Sequence, residues 1–86
     1  MNYRIEFTNA ARRGIVHLPP EIKQQIREGF RLLSEDPHAG ELLKRELEGK
    51  RKLRIGRYRI IYEIEPARKT ILISAVGHRR KVYELF

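Results

Sequence analysis

Eighty-six residues, 41% hydrophobic and 8% aromatic, suffice for one small globular domain and argue against a chain disordered throughout. Cysteine is absent, which excludes disulfide staples and thiolate metal sites, and His17, His38 and His78 lack the spacing of zinc ligands, so no metal or other cofactor is expected. The formal net charge is +8: residues 1–43 balance six bases with six acids, while residues 44–86 carry 13 bases against five acids, an asymmetry that points to a polyanion-binding face.

The opening Met-Asn-Tyr-Arg-Ile-Glu has no signal-peptide apolar core, and Ile71-Leu72-Ile73 with Ala75-Val76 is far too short for a membrane span; a cytoplasmic protein with no membrane partner is expected. Tyr3 to Phe7 alternates apolar and polar side chains, a short strand with Tyr3, Ile5 and Phe7 inward. Thr8 offers an N-cap for a helix whose inner face is Ala11, Ile15 and Leu18, with Gly14 weakening it modestly. Pro19-Pro20 stops that helix, and Pro20 suits the first turn of a second one. Ile22, Ile26, Phe30 and Leu33 make its apolar stripe, and Pro37 ends it. Two amphipathic helices in succession form a helical hairpin that needs a sheet to cover.

Residues 37–49 read as irregular, punctuated by Pro37, Gly40 and Gly49, with Leu42, Leu43 and Leu47 expected to tuck against the core. The run 50–59 then carries six bases and no acid. A two-residue primed turn at Gly56-Arg57 pairs Ile55 with Tyr58, Arg54 with Arg59, Leu53 with Ile60, Lys52 with Ile61 and Lys50 with Glu63. Alternation then sorts the hairpin. One face holds Leu53, Ile55, Tyr58, Ile60, Tyr62 and Ile64 for the helices; the other holds Lys50, Lys52, Arg54, Arg59, Ile61 and Glu63. Arg51 and Arg57 fall out as rim or turn residues. Strands follow at Ile60–Glu65 and Thr70–Val76, and Val82–Phe86 closes the chain as a strand or a turn of helix.

Arg54 opposite Arg59 is an electrostatically awkward pair, better tolerated if an anion bridges them. If the last strand lies beside the 58–65 strand, its end delivers Arg79 and Tyr83 to the rim of the cationic face. Arg forks, Lys ammonium groups and a Tyr ring suit phosphate and base recognition. They also suit RNA scission by its own 2′-hydroxyl, which needs a base, cations for the charged transition state and an acid for the leaving oxygen. Composition alone does not separate catalysis from simple binding of RNA or DNA.

The run Leu53 to Ile64, the ending Val76-Gly77-His78-Arg79-Arg80-Lys81-Val82-Tyr83 and the strand–helix–helix–strands order resemble the RelE/ParE superfamily of type II toxin–antitoxin toxins, across essentially all of residues 1–86. The resemblance implies an α+β fold of β-α-α-β-β-β order: a mainly antiparallel twisted sheet with the two-helix hairpin on one face and a cationic groove on the other. RelE-type members enter the ribosomal A site and cut mRNA without a metal; ParE-type members poison DNA gyrase. By resemblance to the RelE branch, Lys50 and Lys52 promote removal of the 2′ proton, Arg59 steadies the scissile phosphate, Arg79 is the general acid and Tyr83 stacks on the mRNA base. The segment from Gly77 to Tyr83 is shorter than in the best-known members. His78 occupies a slot that is often basic, and Arg54, Arg80 and Lys81 complete the RNA-binding set. The Lys and Arg set favours RelE over ParE. The implied partners are the ribosome, mRNA and an acidic RelB-like antitoxin, through which the toxin–antitoxin complex binds operator DNA. A gyrase inhibitor and a non-catalytic RNA- or ribosome-binding module are the alternative readings.

Overall fold

The computed structural model describes residues 2–43 and 49–80. Strand β1 (Arg4–Phe7) leads through Thr8 into helix α1 (Asn9–Val16), then helix α2 (Pro20–Glu35) and a 3-10 turn (Pro37–Ala39). Strands β2 (Glu41–Leu42), β3 (Arg51–Ile55), β4 (Tyr58–Glu65) and β5 (Thr70–His78) follow, with a second 3-10 turn at Pro66–Arg68 between β4 and β5. The five strands form one sheet in the order β1-β5-β4-β3-β2. Among the described residues the β1–β5 pairing is parallel and the other three pairings are antiparallel. The α+β arrangement is the expected one.

Local chemistry accounts for the helices. Thr8 caps α1 by accepting the Ala11 N–H at 3.1 Å, and Pro20 occupies the first turn of α2, where its missing N–H costs nothing. Ala11, Leu18, Ile26 and Leu33 are buried against Ile60, Tyr62, Ile71, Ile73 and Val76 of the sheet. Half-buried Tyr3, Ile5, Phe7, Ile15, Ile22 and Phe30 surround them, and Phe7 meets Phe30 edge-on at 5.2 Å. Gly14 has a stronger reason than its helix propensity suggests: a Cβ there would lie 2.0 Å from the Val76 carbonyl oxygen, so the bare backbone is what lets α1 rest on β5.

The β3–β4 hairpin adopts the register expected of it, from Ile55 opposite Tyr58 to Arg51 opposite Tyr62. Gly56 supplies the positive φ of the turn, at 59°. Residues 37–43 depart from the irregular segment expected there. A 3-10 turn and β2 form because Tyr62 pins them: its buried hydroxyl donates to the Pro37 carbonyl at 2.7 Å and accepts the Gly40 N–H at 3.0 Å, while Arg51 donates to the Gly40 carbonyl. Leu42 does not tuck inward; it is 56% exposed on the edge strand. Leu43 packs on Ile61 and Ala75, which lie on the sheet face away from the helices. Leu47 and the closing segment 82–86 lie outside the described residues.

Candidate cationic site on the open sheet face

Strand pairing builds this site. Lys50 stands just before β3, Lys52 and Arg54 alternate along it, and Arg59 and Glu63 project from β4 on the same side. At about 3.3 Å per residue, the row from Lys50 to Arg54 extends about 13 Å along β3. Buried Ile61 and Ala75 form its apolar floor. Arg54 sits directly opposite Arg59, and Arg59 is only 8% exposed, so two guanidinium-bearing residues face one another on rigid backbone. Like charges in register cost stability unless an anion is shared.

The two lysines are held differently. Lys50 Nζ forms a salt bridge with Glu63 and a hydrogen bond of 3.3 Å to Ser74 Oγ, and its side chain is only 22% exposed. Lys52 Nζ lies 3.9 Å from Glu41 of β2, a loose pair with an exposed carboxylate. Ser74 sits at a bulge in β5. Ile61 pairs with Ala75 and Tyr62 with Ile73, so Ser74 is the extra residue between them. The bulge is clamped from the helix side: Thr8 Oγ1, which caps α1, donates to the Ser74 carbonyl at 2.9 Å.

At the opposite end, Gly77 faces Arg59 and His78 faces Tyr58 across β4–β5. The Arg79 N–H donates to the Arg57 carbonyl at 2.9 Å, which fixes the exit of β5 beside the hairpin turn, with the Arg79 and Arg80 side chains exposed. Lys50, Lys52, Arg54 and Arg59 therefore share one face, with Arg79 anchored at its turn end. His78 is not brought to that face. Its ring meets Tyr58 edge-on at 5.7 Å, on the helix side of the sheet, and its Nδ1 lies 3.4 Å from the Arg80 N–H. Lys81 and Tyr83 lie outside the described residues.

Sequence reasoning missed Glu41 and Ser74 as members of the site, and placed Glu63 on the face without a role. One signal for Ser74 exists. Ile71 and Ile73 set an inward phase that regular alternation would pass to Ala75, yet the larger Val76 is the inward residue. That slip in phase marks the bulge.

Residues 5–83 match the family described as ParE toxin of type II toxin–antitoxin system, parDE. Toxin RelG of Mycobacterium tuberculosis is 40% identical over 85 residues, covering 96% of this chain and 98% of that protein. The toxin–antitoxin complex RelBE2 of the same organism contains a chain that superposes with a TM-score of 0.86 at 38% identity, over 92% of this chain and 100% of that one. A mutant of the E. coli toxin RelE in the free state matches with a TM-score of 0.80 at 21% identity, covering 98% of this chain and 93% of that one, a likeness of fold.

Proposed function

Since this chain belongs to the ParE-toxin family of type II toxin–antitoxin systems, within the RelE/ParE superfamily, we propose that it is a ribosome-dependent endoribonuclease that cuts mRNA in the A site. The observation that carries this reading is the convergence of Lys50, Lys52, Arg54 and Arg59 on one rigid sheet face, with Arg79 anchored beside the hairpin turn. Two lysines, a guanidinium pair and a further arginine are the groups that 2′-hydroxyl attack on a phosphodiester requires without a dedicated metal cage. In this scheme Lys50 and Lys52 assist removal of the 2′ proton. Arg59, nearly buried, contacts the scissile phosphate through a fork that desolvation makes strong. Arg79 protonates the leaving 5′ oxygen, and Arg54, Arg80 and Lys81 follow the RNA backbone. Tyr83 stacks on the base. His78, turned to Tyr58, serves the end of β5 structurally. The cytoplasm supplies the substrate, and an acidic antitoxin covers the cationic face until it is needed.

A second reading has its own support. The family matched is described by its ParE members, and a ParE-like gyrase poison would use the same cationic face as a protein-binding surface. Cell-free translation followed by primer extension along the message separates the two. Discrete cuts in codon register that drop by roughly 100- to 1,000-fold with Arg59→Ala support the nuclease. An intact message together with blocked supercoiling by gyrase assigns the chain to the second reading. Ribosome binding with neither effect leaves a non-catalytic binding module.

A further inference from the structure

We infer that Glu63, together with Ser74 at the β5 bulge, is a positioning residue that sets Lys50 on the cationic face; this deepens the nuclease reading and rests on it. A lysine side chain is a flexible four-carbon stem whose ammonium loses much rotamer freedom when it is held in one place. The Lys50 carbonyl accepts the Leu43 N–H at 2.8 Å, which fixes the backbone there but leaves the ammonium to be placed by contacts of the side chain. Among the described residues, two acceptors from two other strands hold that ammonium: the Glu63 carboxylate on β4 and the Ser74 hydroxyl on β5.

An ordinary surface ion pair would contribute little, but this one is built into the fold. Ser74 is 9% exposed and lies on the open face beside Lys50, at the bulge that interrupts the β4–β5 ladder. The bulge carbonyl is in turn tied to Thr8, the cap of α1. A line of contacts thus runs from a helix N-terminus through a bulged strand to one lysine ammonium. The chemical consequence is preorganisation: the 2′-hydroxyl meets an ammonium group already in place, and no ordering of Lys50 is needed in the transition state. Glu63 never touches RNA in this scheme; it acts through Lys50.

The test is single-turnover cleavage of mRNA on programmed ribosomes by the full chain. Glu63→Ala is expected to lower the maximal rate by roughly 10- to 100-fold, the scale of a misplaced reacting group, with the half-saturating toxin concentration within about threefold of wild type. Glu63→Gln keeps a carbonyl acceptor for Lys50 and is expected to recover most of the rate. In a Lys50→Met background, Glu63→Ala should have no further effect, because both remove the same placed charge. Ser74→Ala, a small change at a bulge, should show a weaker rate loss that also disappears in Lys50→Met, and it decides the matter if Glu63→Ala fails to fold. A rate that is unchanged or raised in Glu63→Ala, or losses that add to that of Lys50→Met, overturns the positioning role. Wild-type protein that cuts no message overturns the nuclease reading, and this role with it; wild-type cleavage with additive variants overturns this role alone.

Discussion

Tyr62 shows how much one side chain decides here. Its ring is fully buried beneath the helices, while its hydroxyl donates to Pro37 and accepts from Gly40. That hydroxyl closes the segment leading to β2 and so sets where Glu41 meets Lys52. Burial raises the Tyr62 pKa above the usual phenol value, outweighing the lowering contributions of the Gly40 N–H and the Arg51 charge. The sign of the linkage follows. A phenol that keeps its proton in the fold longer than in the unfolded chain contributes stability that is complete below about pH 10 and is lost as pH rises through the raised folded value. Tyr62→Phe leaves a buried N–H and a carbonyl without their partner and is expected to cost about 1–3 kcal/mol at neutral pH. Its alkaline unfolding limb should be flatter than that of wild type. Urea midpoints measured from pH 7 to pH 11 check both effects; a variant whose curve parallels wild type throughout would show that the hydroxyl is not the group responsible.

At the scale of elements, α1 rests on β5 at backbone-to-backbone distance through Gly14. Gly14→Ala should raise helix propensity by about 1 kcal/mol in isolation, yet its methyl would stand 2.0 Å from the Val76 carbonyl. Overpacking of this kind costs about 1–3 kcal/mol, so the variant is expected to unfold at lower urea, and an unchanged midpoint would mean that α1 slides freely on β5. This contrast also shows what the sequence made legible. The Thr8 cap, the Pro20 start and the β3–β4 register were readable because each depends on neighbours within a few residues, and alternation sorted Lys50, Lys52, Arg54 and Arg59 onto one face correctly. Gly14 read as a mild liability because its partner, Val76, is 62 residues away in the chain. The same reach hid the parallel β1–β5 pairing, the brief β2 that Tyr62 pins and the Ser74 bulge. Glu41 and Glu63 were visible as acids, but their attachment to Lys52 and Lys50 depends on strands meeting across the sheet. His78 alternates onto the Tyr58 side once β5 is in register, a fact that its basic neighbours Arg79 and Arg80 obscured.

For the molecule as a whole, charge is separated by layer. Exposed bases of the helices, among them Arg12, Arg13, Arg27 and Arg31, alternate with Glu21, Glu28 and Glu35, whereas the excess that makes the chain +8 lies in the half that forms the sheet hairpin and the end of β5. Association with single-stranded RNA should therefore depend on salt through a few residues of one face. Each phosphate neutralised on a single strand contributes about −0.7 to the slope of log affinity against log salt. The four cations of the face contribute at most about −2.8 and nearer to about −1.4 where the carboxylates beside Lys50 and Lys52 keep those lysines from neutralising a phosphate, with Arg79, Arg80 and Lys81 adding to the slope. Arg54→Gln, at an exposed strand position, is expected to reduce the slope by about 0.7 without altering the fold. Arg12→Gln, on the outer side of α1, should leave it unchanged. Titration of a fluorescent RNA oligonucleotide at several salt concentrations measures both. Equal changes in the two variants would mean that RNA is held by diffuse charge over the whole surface, and the open sheet face would lose its claim to be the binding site.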